Sequence, residues 1–252
     1  MMNLTDNDVE RYHADGFLHL PGLLDPARMA AVATAVDRLP QTHSHLIHED
    51  NIRIEYSLAK PKGVWKWDPV IDICPEIAAL AADTILIEVL TRIFRGSPPR
   101  LFKDKMILKP PGSQGNDLHQ DYTWWQGFPD SLLTVTIAID GADEQTGCTE
   151  LWPGMHRQGL YHAPGKMAMI DPAVVAGRPS RLFVSRPGDV ALFHCLTPHR
   201  AGANRSDRNR RQLFLTYHDS AAGDYYQAHY RHFLSYRRAM LPPERRAACH
   251  LA

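Results

Sequence analysis

A change in sequence texture near residue 100 constrains the fold of this chain of 252 residues more than any other feature. From there to about residue 220, short apolar and β-branched runs alternate with turn residues. The runs are "RLFKDKMILK", "LLTVTIAID", "RLFVS", "VALFHC" and "RQLFLTYH", with turns such as "PPGSQGND" and "RPGD" between them. Many short strands with Gly- and Pro-containing turns are typical of sandwiches and barrels. The sequence therefore predicts a mainly β core with flanking helices packed outside it.

Helical patterns dominate the first hundred residues. Asp25 followed by Pro26 predicts a helix start, because an aspartate side chain caps free backbone N–H groups and proline fits the first turn. Apolar residues then recur at helical spacing; they are Met29, Val32, Val36 and Leu39. A second helix is predicted over residues 75–94, entered through Pro75 and stopped by Gly96.

These patterns predict a single domain over residues 1–252. Residues 1–99 form a largely helical flank, residues 100–220 the β core, and residues 221–252 a C-terminal tail. The stretch 155–180 is rich in Gly, Pro and His and is long for a simple connection, so it is either a lid over a binding site or an irregular surface loop.

Composition excludes several classes of partner. The 28 basic and 28 acidic residues give a net charge of zero, so nothing global points to nucleic acid or to an anionic membrane surface. The longest apolar run, "IAALAADTILIEVLTRIF", is short and charged, and the polar start is unlike a secretory signal. The four cysteines form no C-x-x-C pair. We therefore expect a cytoplasmic protein that binds a small molecule rather than nucleic acid or membrane; the oligomeric state is not decided by the sequence.

Two of three His-x-Asp pairs lack the context of a metal site. Side chains two residues apart share a face in an extended chain but lie roughly 200° apart in a helix of 3.6 residues per turn. His13 and Asp15 end a predicted helix that closes at Gly16, so this pair is interpreted as chance. Nothing around His48 and Asp50 supplies further ligands.

The third pair has the context that the others lack. "LHQDYTWW" places His119 and Asp121 where a strand restarts after a Pro-Gly turn, and His199 follows downstream beside a cluster of arginines. Two histidines and one carboxylate on one face of an iron ion leave its other positions open. This is the ligand set of non-haem Fe(II) oxygenases.

The order H-Q-D, then "TIAIDGADEQTGCTELWPGMH", then "PGDVALFHCLTPHRAGANRSDRNRRQLFLTYH" resembles the phytanoyl-CoA dioxygenase family. The opening "LTDNDVERYHADGFLHLPGLLDP" is also similar to that family's start, so the resemblance covers nearly the whole chain. It implies a double-stranded β-helix, that is, a cupin-like jelly roll. It also implies an oxygenase that uses Fe(II), 2-oxoglutarate and O2 to hydroxylate an unactivated C–H bond of a small metabolite, with succinate and CO2 as coproducts.

The resemblance implies roles for individual residues. His119, Asp121 and His199 match the family's iron ligands, which are the catalytic centre. Arg210 matches the arginine that binds the far carboxylate of 2-oxoglutarate, and a planar guanidinium suits that group because it offers two parallel hydrogen bonds. Arg211 is the alternative, although it is expected on the opposite face of its strand.

Other positions depart from the family's pattern. Ala201 stands where the family often has a serine, and Thr136 stands where some members have a tryptophan. Thr134 and Thr136 share a strand face, so they either donate hydroxyls to 2-oxoglutarate or are ordinary β-branched strand residues.

Substrate contacts are predicted near the metal motif. Tyr122, Trp124 and Trp125 follow it directly and either wall the pocket or pack in the core. Lys103, Lys105 and Lys109 alternate on one strand and are expected to share a face, and Lys105 or Lys109 is a candidate partner for an acid group. Arg53, Lys60 and Lys62 are candidates for an anionic substrate, with solvated surface as the alternative. Amino-acid derivatives, phosphonates and natural-product intermediates all remain open as substrates.

Two other functions also remain open. A cupin-fold metalloenzyme that uses no 2-oxoglutarate needs the three ligands but no arginine at position 210. A non-catalytic metal-binding protein keeps only the fold, although buried and unpaired His and Asp side chains are costly without a metal.

Overall fold

The computed structural model of the protein describes residues 4–56 and 63–252, and its architecture is that of two facing antiparallel sheets. In chain order the strands are β1 (Phe17–Leu20), β2 (Ile54–Tyr56), β3 (Val64–Trp67), β4 (Pro99–Lys109), β5 (Asn116–His119), β6 (Leu133–Ala138), β7 (Thr149–Leu151), β8 (Arg181–Leu182), β9 (Val190–His194), β10 (His199–Ala201) and β11 (Arg210–Asp219). The large sheet has the order β1-β9-β6-β11-β4-β3-β2, and the small sheet has the order β5-β10-β7-β8. This mainly antiparallel arrangement is the predicted cupin-type jelly roll.

In residues 4–56 and 63–252, five α-helices accompany the sheets. They are α1 (Asp6–Asp15), α2 (Pro26–Thr42), α3 (Pro75–Ala81), α4 (Thr84–Ile93) and α5 (Tyr226–Met240). Asp25 caps α2 through the backbone N–H of Ala27, and Pro26 occupies the first turn, as the sequence predicted. Within the described part of the chain, no helix combines the length and the apolar character that a membrane crossing needs.

Alternate side chains of β11 lie on opposite faces of the large sheet and pack in different clusters. Leu213, Leu215 and Tyr217 belong to the main hydrophobic core, which also contains the apolar faces of α2, α3 and α4. Phe214 belongs instead to a smaller cluster with Phe193 and residues of the small sheet. Because neighbouring strand residues point to opposite faces, the even positions of β11 line the space between the sheets, where the candidate site lies.

Three parts of the fold differ from the sequence prediction. The prediction of one helix over residues 75–94 is wrong, because the structure has two helices there. The Asp83 carboxylate accepts hydrogen bonds from the backbone N–H groups of Ile85 and Leu86, so a new helix, α4, begins after it. The flank at residues 1–99 also contributes β1, β2 and β3 to the large sheet. The segment 221–252, predicted as a tail, contains the 15-residue helix α5.

Candidate active site

His119, Asp121 and His199 meet at one end of the small sheet. His119 ends β5 and His199 starts β10, and the two are direct partners in the β5–β10 register. Asp121 Oδ1 lies 3.8 Å from His119 Nε2 and 3.9 Å from His199 Nε2. Among the residues that the structure describes, this is the one group of three or more His, Cys, Asp or Glu side chains able to share a metal ion, with its ligand atoms within 4.8 Å of one another.

The surroundings of the triad orient its donor atoms. The Nδ1 atoms of His119 and His199 lie 2.6 Å and 3.0 Å from the backbone carbonyl oxygens of Asp117 and Thr197, so each ring donates from Nδ1 and turns Nε2 inward. Thr134 Oγ1 donates to Asp121 Oδ2 at 3.2 Å. The donor set and its orientation therefore fit a divalent iron ion.

Protonation at the triad also suits metal binding. Burial and the neighbouring His199 lower the pKa of His119 to about 3, and burial also lowers the pKa of His199. Burial opposes ionisation of Asp121, but its interactions with the His199 ring and with the Lys105 ammonium outweigh burial and lower the pKa of this carboxyl. Neutral imidazoles and an ionised carboxylate are the forms that bind a metal.

Two buried cations lie side by side at the other end of the space between the sheets. Arg210 opens β11 and faces Lys109 of β4 in the register. Arg210 Nη1 donates to the Gly147 carbonyl at 2.7 Å, and Lys109 Nζ donates to the same oxygen at 3.4 Å and also to the Gly202 carbonyl. Arg210 is 2% exposed, and within the described ranges its Nε has no hydrogen-bond partner. Neither side chain has a carboxylate partner among the described residues, so the pair fits an anionic ligand.

Burial makes this pair of cations costly in the absence of an anion. Burial lowers the pKa of Arg210 to about 10, and burial together with Arg210 lowers the pKa of Lys109 to about 7. Arg211, the alternative from the sequence, points to the other face and pairs with Asp140 and Asp37. The strand alternation thus leaves Arg210 as the arginine that faces the site.

The structure gives the two threonines protein partners. Thr134 holds Asp121 and contacts Thr216 Oγ1 at 3.1 Å. Thr136 Oγ1 accepts a hydrogen bond of 2.5 Å from Gln212 Nε2. The expected role of Thr134 as a hydroxyl donor to 2-oxoglutarate is therefore not supported, because its hydroxyl is directed at the metal-site carboxylate.

A cavity of about 440 Å³ opens onto the triad, and His119 and Asp121 form part of its wall. Trp124, Trp125 and Lys105, which were candidate substrate contacts from the sequence, are among the residues that line it. Met169 also lines it, so the segment 155–180 reaches the cavity with at least one side chain.

Two expected substrate contacts lie elsewhere. Tyr122 is not part of the cavity wall: its hydroxyl donates to the Phe128 carbonyl at 2.9 Å, and its ring packs against the cluster around Phe102. Arg53 is buried and pairs with Asp72, so it does not face a substrate. Lys60 and Lys62 lie outside the described residues.

Helix α5 forms a cavity wall that the sequence analysis missed. The side chains that it contributes are His229, His232, Phe233, Tyr236 and Arg237. The last four follow His229 by three, four, seven and eight positions, which places all five on one helix face. This periodicity was the feature of the sequence that could have indicated a shared helix face. Strands β2 and β3 and the residue after β3 add Glu55, Trp65, Lys66 and Asp68.

Comparison with known proteins gives consistent results. The family description "Phytanoyl-CoA dioxygenase (PhyH)" matches residues 12–212. A methylphosphonate hydroxylase of Gimesia maris is 27% identical over 90% of this chain and 85% of its own length. A 2-aminoethylphosphonate dioxygenase of an uncultured bacterium is 31% identical over 89% of this chain and 85% of its own length.

Two solved structures of similar fold contain 2-oxoglutarate, which is also called α-ketoglutarate. The epimerase SnoN, in complex with Fe³⁺, α-ketoglutarate and nogalamycin RO, has a TM-score of 0.69 at 25% identity, covering 85% of this chain and 83% of SnoN. EctD of S. alaskensis with 2-oxoglutarate and 5-hydroxyectoine has a TM-score of 0.72 at 19% identity, covering 86% and 77% of the two chains; this likeness concerns the fold. The family match, these relatives and the buried His-Asp-His group show that the chain belongs to the phytanoyl-CoA dioxygenase family and is an Fe(II)- and 2-oxoglutarate-dependent oxygenase.

Proposed function

We propose that this enzyme hydroxylates a C–H bond close to an anionic group of a small metabolite, and that Lys105 binds that group. The observation that carries the proposal is the position of Lys105. Its ammonium lies 5.0 Å above the Phe214 ring, within the cavity wall, and it has no carboxylate partner among the described residues. Its charge acts on all three side chains of the triad, so a group bound to it lies beside the metal site.

In this proposal His119, Asp121 and His199 hold the iron. Iron(II) with 2-oxoglutarate supplies the activation of O2 and the oxidising power for the C–H bond, with succinate and CO2 as coproducts. Thr134 fixes Asp121 through its hydroxyl, and the backbone carbonyls at Asp117 and Thr197 fix the two imidazoles. These contacts hold the ligand atoms in place before the metal binds.

Arg210 and Lys109 bind the distal carboxylate of 2-oxoglutarate in the same proposal. Both cations donate to the Gly147 carbonyl, so their nitrogens lie within about 6 Å of each other, close enough for one carboxylate to reach both. Arg210 still has an unpaired N–H at Nε to offer. Lys109 is therefore a second cosubstrate contact in this proposal, whereas from the sequence it was only a candidate partner for an acid group of the substrate.

Size and wall chemistry support a small substrate. A volume of about 440 Å³ lies in the range of small-molecule sites. Trp124 and Trp125 supply an apolar surface for the substrate's carbon atoms. Relatives that act on methylphosphonate and 2-aminoethylphosphonate support an anionic head group.

The first test separates cofactor binding from substrate binding. Fe(II) and then 2-oxoglutarate are added anaerobically to the purified protein, and the weak visible charge-transfer band of the chelated keto acid is recorded. Wild type is expected to form the band, and Asp121→Ala is expected to lose substrate hydroxylation. Iron binding without a band would indicate an enzyme that does not use 2-oxoglutarate; iron-dependent hydroxylation at the wild-type rate in Asp121→Ala would reject the ligand assignment.

The second test concerns Lys105. Lys105→Met keeps the length of the side chain but removes the charge, so it is expected to weaken substrate binding about 10- to 100-fold, as the loss of one charged hydrogen bond predicts. The 2-oxoglutarate titration of the same variant is expected to match wild type. A change of similar size in both titrations would place Lys105 in the cosubstrate site instead.

A further inference from the structure

His229 of α5 is a buried polar group that faces the cavity. The residue is 2% exposed, and neither ring nitrogen has a hydrogen-bond partner in the part of the chain that the structure describes. Its ring packs against Phe102 at 4.5 Å and Tyr230 at 4.9 Å between centroids, which fixes the ring in place. Buried polar nitrogens are almost always satisfied in folded proteins, so a histidine in this position fits a ligand atom.

The imidazole of His229 is held neutral. Burial and the nearby Lys103 lower its pKa to about 2. A neutral imidazole offers one N–H donor and one acceptor nitrogen. Lys105, whose charge also acts on His229, supplies further donors from the neighbouring wall.

The buried part of the cavity wall, apart from the metal-site carboxylate Asp121, has more positive than negative charge. Glu55 and Asp68 are its two buried or half-buried carboxylates apart from Asp121. They pair with Lys66, Lys103 and Arg237, at distances of 2.5 to 3.5 Å. This network of three cations and two carboxylates has one positive charge in excess, and Lys105 adds a second. Asp117, a further carboxylate of the wall, is exposed at the rim.

The observations narrow the proposed anionic group to one chemical class. A carboxylate offers two oxygens and one negative charge, whereas a phosphonate offers three oxygens in a tetrahedron and, like a phosphate monoester, approaches two negative charges near neutral pH. The second charge matches the surplus of the buried wall. 2-Oxoglutarate has its own cations in Arg210 and Lys109, so it does not neutralise this surplus.

We propose that His229 and Lys105 together bind the phosphonate group of the substrate, and that the enzyme is selective for small organophosphonates. This inference rests on the proposed function and adds to it the head-group class and a second recognition residue. His229 donates from its ring N–H to one phosphonate oxygen, and Lys105 donates to another. The carbon attached to phosphorus then lies between this pair and the triad.

The test compares head groups on one carbon chain. 2-Aminoethylphosphonate, taurine and β-alanine share an aminoethyl group and differ only in the acid; methylphosphonate is a phosphonate without the amine. Each is titrated anaerobically into the protein loaded with Fe(II) and 2-oxoglutarate, and the shift of the charge-transfer band gives its dissociation constant. In wild type both phosphonates are expected to shift the band, and 2-aminoethylphosphonate to bind at least tenfold more tightly than taurine or β-alanine.

Variants at position 229 test the recognition residue. His229→Phe fits the aromatic surroundings but lacks both nitrogens, and it is expected to weaken phosphonate binding about 10- to 100-fold, as the loss of one charged hydrogen bond predicts. His229→Gln keeps a donor and is expected to lose less. His45→Phe makes the same chemical change at an exposed position and is expected to bind as wild type does. All three are expected to form the 2-oxoglutarate band.

The outcomes are distinguishable from a failure of the proposed function. Absence of the band in wild type would refute the use of 2-oxoglutarate, whereas a normal band that neither phosphonate shifts would overturn the phosphonate inference alone. β-Alanine binding as tightly as 2-aminoethylphosphonate, or unchanged phosphonate binding in His229→Phe, would overturn it too. If His229→Phe does not form the band, His229→Gln is the deciding variant: unchanged phosphonate binding in it would count against His229, and weakened binding would support the assignment.

Discussion

Replacing Arg210 with methionine tests the cosubstrate site most directly. The change keeps an unbranched apolar side chain, shorter than that of arginine, and removes the charge and all the donors. A charge-assisted hydrogen bond contributes about 1.5–3 kcal/mol, and truncating one partner of a buried charge pair costs roughly 2–5 kcal/mol. Lys109 still offers a positive charge to the carboxylate in the variant, so we expect a loss of about 2–4 kcal/mol in the binding free energy of 2-oxoglutarate. At about 1.4 kcal/mol per tenfold, this is roughly a 30- to 700-fold weaker affinity.

The same substitution has the opposite expected effect on the free protein. Burial lowers the pKa of Arg210 to about 10, which means that the charged form is penalised in the folded state. Removing this cation relieves that penalty, so without 2-oxoglutarate the free energy of unfolding of Arg210→Met is expected to equal or exceed that of wild type.

The assay is an anaerobic titration of 2-oxoglutarate into the Fe(II) protein, followed at the charge-transfer band, with chemical denaturation of the free protein in parallel. Arg211→Met is the matched control, because that arginine points to the other face of β11 and pairs with Asp140. A less than threefold change in affinity for Arg210→Met, or an equal change for Arg211→Met, would refute the assignment. A large loss of stability in Arg210→Met would show that the arginine acts in the fold and not on the cosubstrate.

Three further predictions follow from buried charges and backbone geometry. Affinity for 2-oxoglutarate is expected to fall as the pH rises above about 7, by up to tenfold per unit, because the free Lys109 amine must take up a proton to bind the carboxylate; Lys109→Met, titrated over the same range, is expected to lack this dependence. Lys103→Met leaves the fully buried Asp68 with a weaker partner and is expected to lower the free energy of unfolding by roughly 3–5 kcal/mol, with part recovered when Asp68→Asn is added; an additive double variant in the denaturation curves would contradict the pairing. Gly147→Ala forces a side chain into a φ of 71° and against the Gly202 carbonyl, so it is expected to cost at least about 1–2 kcal/mol and to weaken 2-oxoglutarate binding; wild-type values for both would show that this loop adapts.

The spacing of apolar residues and the turn residues predicted most of the fold. The strands between residues 100 and 220 and the start of α2 at Asp25–Pro26 are local features, and local signals predict them well. The break between α3 and α4 is also local, since Asp83-Thr84 is a capping sequence, but apolar residues on both sides hid it within one continuous pattern. The pairing of β1 with β9 joins residues far apart in the chain, and no local pattern encodes that contact.

The residues of the candidate site also fall into those that local spacing predicts and those that only long-range packing brings together. Residues two apart in an extended segment point the same way, so the pairing of His119 with Asp121 is encoded in the spacing. Tyr122 is adjacent to Asp121, but the chain enters a 3-10 turn there and the phenol points away from the cavity. His229 is more than a hundred positions from the metal motif, and its helix has the periodicity of any surface helix. Only the docking of α5 against β4 shows that this face lines the cavity.

One strand connects the two halves of the site, and this arrangement separates the chemistry from the choice of substrate. Lys103, Lys105 and Lys109 share the inner face of β4, as their alternation predicted. Lys109 lies at the cosubstrate end beside Arg210, whereas Lys103 and Lys105 lie in the wall opposite α5. A substitution on α5 or at position 105 therefore changes the charge that the substrate meets without touching the metal ligands or the 2-oxoglutarate cations. We expect variants at these positions to change the preferred substrate while 2-oxoglutarate affinity stays constant, and a coupled change in both would show that the two sites share their cations.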